Sequence, residues 1–171
     1  MRAVVIGMLG AAAMIAAPIA AQMAPKSSAN DPLLVTNARQ PGVHVTRSGL
    51  QYRILKQGTG ALPGPTDVAL ITYTGKLADG TIFDSSPQPL PLLIAKTVPG
   101  FAEGLRLTRK GSTVRLWIKP ELGYGAKPMR DDKGNVVIPP NSVLVFDVTL
   151  IDSMPAAQYN ALVRRGWFPK S

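Results

Sequence analysis

Few side chains in this chain are equipped for chemistry. Among 171 residues there is no cysteine and a single histidine, His44. That removes disulfides, thiol nucleophiles, Cys-ligated metals and multi-His metal sites. A Ser-His-Asp triad needs a histidine held beside its nucleophile, whereas His44 lies in a polar lead-in segment and reads as solvated. What remains is a carboxylate, Asp84, between Phe83 and the pair Ser85-Ser86, with a set of aromatics at Tyr73, Phe83, Phe101, Tyr124 and Phe146. Taken singly, each has a bland reading. Aromatics at alternate strand positions are usually core. Asp84 can end a strand and accept from turn amides. Tyr124, between two glycines, can be a turn residue.

The elements that must position these residues follow from the patterning. Leu50 to Leu55 begins by alternating apolar and polar, the signature of a strand. Gly58-Thr59-Gly60 ends it. Asp67 to Leu77 is a second strand, with Ala69, Ile71 and Tyr73 on one face and Val68, Leu70 and Thr72 on the other. Asp79-Gly80 predicts a tight hairpin turn, with Thr81-Ile82-Phe83 returning. Pro99 to Leu107 is the one internal helix. Phe101 and Leu105 share a face, and two glycines make the helix dependent on packing. Ser112–Ile118 and Val143–Leu150 read as further strands, separated by a long loop from Tyr124 to Pro140. A short helix is expected from Pro155 to Arg165 with Ser153 as its N-cap. The fold class is therefore α+β, an antiparallel arrangement with a curved sheet wrapped on a single helix.

The ends of the chain differ from this core. Residues 1–21 open with Arg2, continue as an apolar run from Ala3 and end on Ala20-Ala21, the pattern of a signal peptide cleaved before Gln22. Retention of the same run as an inner-membrane anchor is the alternative, since it is almost long enough to span a bilayer. Without a cysteine after it, lipoprotein attachment is excluded. Residues 22–47 are polar and punctuated by Pro25, Pro32 and Pro41, and read as a linker with a short ordered piece around Pro32–Val35. The core domain spans residues 48–152, and residues 153–171 form a C-terminal tail. The formal net charge is +9. The basic residues are nevertheless scattered, and the densest runs, Arg106–Arg109–Lys110 and Arg164–Arg165, lack interleaved aromatics. No nucleic-acid partner is expected; the charge reads as a solvated basic surface.

Four stretches together carry a resemblance. They are Tyr73-Thr74-Gly75-Lys76-Leu77-Ala78-Asp79-Gly80 and Phe83-Asp84-Ser85-Ser86, then Pro99-Gly100-Phe101-Ala102-Glu103-Gly104-Leu105, then Gly123-Tyr124-Gly125-Ala126. Ile138-Pro139-Pro140-Asn141 and Leu144-Val145-Phe146-Asp147-Val148 follow the last. In this order and spacing, over roughly Gly49 to Asp152, the chain resembles the FKBP-type peptidyl-prolyl cis–trans isomerases, and its lead segment is similar to that of small exported bacterial members.

The resemblance implies a half-open antiparallel β-barrel, a curved sheet of about five strands wrapped around one short α-helix, with an apolar active site between helix and sheet that needs no cofactor or metal. Carried over residue by residue, Tyr73 and Phe83 form one wall, Phe146 another, and Phe101 the floor. Val98 stands at the helix entry with its backbone N–H toward the ligand. Asp84 is the single buried-edge carboxylate, Tyr124 offers its hydroxyl to a substrate carbonyl, and Ile138 is the lid. The floor is Trp in the family's best-known human member and Phe101 here; a wall Phe there is Leu90 here. Phe101 implies a deeper, less rigidly shaped pocket.

The implied activity is rotation about X–Pro bonds, assisting the folding of exported proteins, most simply in a periplasm. The implied partners are proline-containing polypeptides, with macrolide inhibitors of the family as further ligands. A non-catalytic peptide-binding or chaperone module on the same scaffold is the alternative. Larger exported relatives dimerise through a long helical N-terminal domain. The short, proline-containing lead here leaves no room for one, so a monomer is expected.

Overall fold

Alternation along the strands decides which side of the sheet becomes the core. A computed structural model describes residues 31–166. The two longest central strands are β3 (Asp67–Leu77) and β8 (Leu144–Pro155). On β3, Ala69, Ile71 and Tyr73 are buried; on β8, Leu144, Phe146, Val148 and Leu150 are. β5 (Thr113–Ile118) contributes Val114, Leu116 and Ile118 to the same interior. Residues of period two thus line one concave face.

Around these run β1 (His44–Val45), β2 (Gln51–Lys56) and β4 (Ile82–Leu93). The sheet order is β1-β2-β5-β8-β3-β4, every pairing antiparallel. Six strands form a curved sheet that is not closed into a barrel, one more than the sequence suggests. The extra strand is β1, where His44 stacks on Tyr52 with ring centroids 5.1 Å apart.

The expected internal helix is α2 (Pro99–Arg106), which lays Phe101 and Leu105 into the concavity, both fully buried. Its two glycines explain how a poor helix former is retained. A Cβ on Gly100 would lie 2.6 Å from the Ile118 Cγ2, and one on Gly104 would lie 2.5 Å from the Leu116 Cδ1. The helix lies too close to β5 for any side chain on that face, and burial of Phe101 and Leu105 offsets the propensity lost.

The β3–β4 hairpin turns as its sequence suggests. Gly80 takes a left-handed φ of 89°, and the Asp79 carboxylate accepts from the Thr81 N–H at 2.9 Å. β4 is much longer than Thr81–Phe83. Pro87, Pro89 and Pro91 lie on a strand at the sheet edge, where a missing N–H is tolerated.

Three further differences from the sequence reading stand out. First, the short ordered piece expected around Pro32–Val35 is a helix, and from Asp31 onward the segment is docked on the sheet. Asp31 caps α1 (Pro32–Asn37) through the Leu33 N–H at 2.9 Å. Leu34 then packs with Trp117 and Val143 on the outer face of the sheet. Second, the long loop contains a hairpin of β6 (Met129–Arg130) and β7 (Val136–Ile138). Third, Ser153 is not an N-cap. β8 runs on through it, pairing Ser153 with Ala69, and α3 (Ala156–Arg164) begins only after Pro155. A partner strand took the backbone that a local cap would have turned. The expected signal peptide lies outside the described residues. Among these, no helix is long and apolar enough to cross a membrane.

Candidate functional site

A one-residue irregularity assembles the site. In the β3–β4 register Lys76 faces Ile82 while Gly75 faces Asp84, so Phe83 is the extra, bulged residue. A bulge re-aims side chains. Here it lets two consecutive residues serve the inner face: Phe83 packs against the central core, and Asp84 reaches Tyr73, whose hydroxyl donates to the Asp84 Oδ2 at 2.6 Å.

The rings converge from three strands and one helix. Phe146, on β8, stands opposite Gly75 on β3 and Leu116 on β5. It meets Phe101 edge-to-face at 4.9 Å and Phe83 edge-to-face at 5.5 Å. Tyr73 lies 6.3 Å from Phe101 and 6.2 Å from Phe146. These separations suit the ring quadrupoles better than a stacked sandwich would.

The other expected residues join the same cluster. Leu90, opposite Ile71 on β4, is half-buried against it. Val98 is the N-cap of α2, and its carbonyl accepts from the Phe101 and Ala102 N–H groups, each at 3.0 Å. Tyr124 is half-buried, with its hydroxyl oxygen fully covered. Ile138, at the end of β7, is 1% exposed. The structure therefore brings all nine expected residues to one place, with Phe101 and Phe146 as a floor without solvent exposure and Phe83, Leu90, Val98 and Tyr124 as a partly open rim. The deeper pocket expected over Phe101 is closed to solvent at that ring.

Two contributors are missing from the residue-by-residue reading. Gly75 is one: a Cβ there would lie 2.7 Å from the Phe146 Cε1 and 2.8 Å from the Phe83 Cζ. Its absence is what allows the two rings to meet across β3. The signal was present as the third residue of Tyr73-Thr74-Gly75. Met129 is the other, pairing with Ile138 in the hairpin and packed against the cluster. No pattern in the sequence marks it.

The electrostatics are those of a carboxylate taken partly out of water. Burial pushes the Asp84 carboxyl above its ordinary 3.8, and the Tyr73 hydroxyl and the Ser85 N–H pull it partly back. Tyr73 is driven well above the ordinary tyrosine value, first by burial, then by its bond to Asp84 and the Asp84 charge. Tyr73 is thus a neutral phenol over the physiological range, held as a donor on Asp84.

Two depressions lie elsewhere. One, of about 240 Å³, is lined on the outer sheet face by Thr72, Thr74, Thr113, Thr149 and Asp147. The second, of about 70 Å³, is where Tyr159 of α3 meets Leu70 and Pro91. Tyr73 borders the first, while Phe83, Phe101 and Phe146 line neither. Asp147 is held there by Arg115 through a two-pronged bond of 2.6 and 2.8 Å.

Comparison with known proteins agrees with this arrangement. Residues 60–151 match the family described as FKBP-type peptidyl-prolyl cis-trans isomerase. The chain is 43% identical over 122 residues to the FKBP-type 22 kDa peptidyl-prolyl cis-trans isomerase of Escherichia coli, covering 70% of this chain and 57% of that one. It is 38% identical over 130 residues to the outer membrane protein MIP of Legionella longbeachae, covering 74% of this chain and 54% of that one. The crystal structure of FkpA from Escherichia coli superposes with a TM-score of 0.66 at 38% identity, covering 73% of this chain and 57% of that chain. The chain spans about half the length of the curated relatives it matches. With the matched region holding the whole cluster from Tyr73 to Phe146, the chain belongs to the FKBP-type peptidyl-prolyl cis–trans isomerase family.

Proposed function

We propose that this chain is a peptidyl-prolyl cis–trans isomerase that rotates X–Pro bonds of exported polypeptides. The observation that carries the reading is the convergence of Tyr73, Phe83, Phe101 and Phe146 on one apolar centre with a single carboxylate at its edge.

The chemistry asks for little else. Rotation about an X–Pro amide meets a barrier of roughly 18–20 kcal/mol and takes tens of seconds or more unaided. No bond is made or broken, so no nucleophile is required. The planar amide separates charge between oxygen and nitrogen, and the twisted form largely loses that separation. An apolar site therefore disfavours the planar ground state relative to the twist, and binding the twist better than either planar form is catalysis. Five powers of ten correspond to roughly 7 kcal/mol.

In this reading Phe83, Leu90 and Phe146 grip the proline ring above Phe101. The Val98 N–H and the Tyr124 hydroxyl take substrate carbonyls, and Ile138 caps the bound segment. Asp84 acts by its field and by fixing Tyr73, since no proton moves in the twist. Proline-containing polypeptides are the substrates, and macrolide inhibitors of the family compete for the same site.

Export is part of the proposal. It rests on the apolar run between Arg2 and Ala21 and on similarity to a relative named as an outer membrane protein. A native protein whose mass begins at Gln22 supports it; one that retains residues 1–21 is instead anchored.

The test of the activity is a proline tetrapeptide assay on the purified protein with and without a macrolide inhibitor. Acceleration that the inhibitor abolishes is expected. A folded protein that binds the peptide without accelerating isomerisation is a binding module.

A further inference from the structure

Tyr124 and Ile138 sit on the segment that leaves the sheet after β5 and returns before β8. One hydrogen bond ties its two ends together: the Asn141 N–H donates to the Gly125 carbonyl at 2.7 Å. Both partners are left-handed, Gly125 with φ of 61° and Asn141 with φ of 56°. Asn141 is the one non-glycine residue at positive φ among the described residues. Neighbouring bonds stiffen each side. The Gly125 N–H donates to the Pro120 carbonyl at 2.8 Å, and the Ser142 hydroxyl donates to the Pro139 carbonyl at 2.7 Å. The clamp thus lies one residue from Tyr124 and three from Ile138.

Left-handed backbone in a residue with a Cβ is sparsely populated, and Asn tolerates it better than most. Such a conformation persists where the surroundings over-determine it, and at functional loops it is often part of the design. From this geometry we infer that Asn141 and Gly125 are positioning residues. Their paired left-handed backbones hold the substrate-carbonyl donor Tyr124 and the lid Ile138 at a fixed separation before substrate arrives. The inference rests on the isomerase reading of that site. A residue that resists the left-handed region relieves its strain by opening the clamp. Binding must then close it again, and affinity falls by the fraction of molecules found closed. Once substrate is bound the clamp is closed, so turnover of the bound complex changes little.

Three alanine variants and one rescue test this. Asn141→Ala forces alanine into the left-handed region. So does Gly125→Ala, where a Cβ meets nothing within 4 Å, so that its effect is purely conformational. Gly80→Ala imposes the same kind of strain, also in open space, at the distant β3–β4 turn, and is the control. Asn141→Gly restores backbone freedom without the side chain. The readouts, referred to the folded fraction, are KM and kcat for a proline tetrapeptide, its Kd by NMR titration, and hydrogen exchange of the residue 141 amide.

Asn141→Ala and Gly125→Ala are expected to raise KM and Kd about five- to tenfold with kcat within about twofold, and to speed exchange at residue 141. Asn141→Gly and Gly80→Ala are expected to stay within about twofold of wild type in Kd. Unchanged Kd in both clamp variants overturns the inference. So does an Asn141→Gly as weak as Asn141→Ala, or a Gly80→Ala as weak as Gly125→Ala. A wild-type protein that binds the peptide without turning it over defeats the isomerase reading alone, and the Kd series still decides the clamp. A wild-type protein that neither binds nor turns over the peptide defeats both.

Discussion

The Tyr73 hydroxyl donates to the Asp84 carboxylate at 2.6 Å, across a hairpin whose bulge exists at the neighbouring Phe83. Phenol and carboxylate are both partly buried, and each shifts the other's titration. The pair works as a strut: it fixes where the Tyr73 ring stands, and it puts a negative charge at the edge of an apolar site.

A strut and a general base make different predictions. If Asp84 were a base, removing its charge would abolish activity. We expect Asp84→Asn, which keeps the acceptor oxygen for Tyr73, to lower kcat/KM by no more than about tenfold, or roughly 1.4 kcal/mol. Tetrapeptide kinetics on the folded variant measure this, and an inactive Asp84→Asn beside a near-normal Phe146→Leu would falsify the apolar-site mechanism.

The same carboxylate gives a signed pH dependence. Its value in the folded chain lies above the ordinary 3.8, so the native state holds the proton more tightly than the unfolded one. Stability from this group is present below the ordinary value and is lost as pH rises through the raised one. Asp131 and Asp152, whose values are lowered, act in the opposite sense. The difference in urea midpoint between wild type and Asp84→Asn isolates the Asp84 contribution. Wild type is expected to lose ground against the variant as pH rises from about 3 to about 6. A difference that is flat or reversed contradicts the burial assigned to Asp84.

Phe146 touches Tyr73, Phe83 and Phe101 at once. Truncation to alanine is expected to cost about 3–5 kcal/mol of stability. Phe146→Leu fills most of the space and is the form in which to read activity. Its kcat/KM should fall further than that of Asp84→Asn when each is referred to folded protein.

Gly75→Ala places a methyl 2.7 and 2.8 Å from two ring carbons. Neither ring is a flexible tip that can swing aside. We expect destabilisation of about 1–3 kcal/mol, together with altered ring-proton shifts for Phe83 and Phe146 in NMR spectra. An unperturbed aromatic region rules out the close packing described here.

The docked N-terminal segment also has a measurable anchor. Asn37 is buried and donates from its Nδ2 to the Gln51 Oε1 at 2.8 Å, while the Gln51 Nε2 donates to the Leu34 carbonyl at 2.8 Å. Asn37→Ala leaves a buried oxygen on Gln51 without its donor and should cost about 1–3 kcal/mol by chemical denaturation. A neutral result means that residues from Asp31 to Thr46 are the linker that their composition suggests.

That composition explains what the sequence could and could not convey. β3, α2 and the inner face of β8 were legible because burial there follows a strict period, two for strands and i, i+4 for the helix. The Asp79-Gly80 turn was legible because the backbone demand at Gly80 is local. β4 was cut short in the reading because Pro87, Pro89 and Pro91 argue against a strand except at an edge, and edge position is a tertiary fact. The burial of Asn37 and Gln51 was not legible because it depends on the two finding each other across 14 residues. Ser153 looked like a cap until β3 claimed it. Among site residues, the joint spacing of Tyr73, Phe83, Asp84, Phe101, Tyr124 and Phe146 was legible only through resemblance. The bulge at Phe83 and the void at Gly75, which make that spacing work, are properties of paired strands.

β4 is an outer strand of the sheet and carries prolines at 87, 89 and 91. None of these can donate a backbone hydrogen bond to another strand. An open sheet edge is where an unfolded chain would otherwise attach and begin to aggregate. Under the proposed activity a polypeptide substrate must be released once its bond has turned. The prolines of β4 make the border beside Phe83 a poor template, so such a substrate has little to zip onto and remains free to leave.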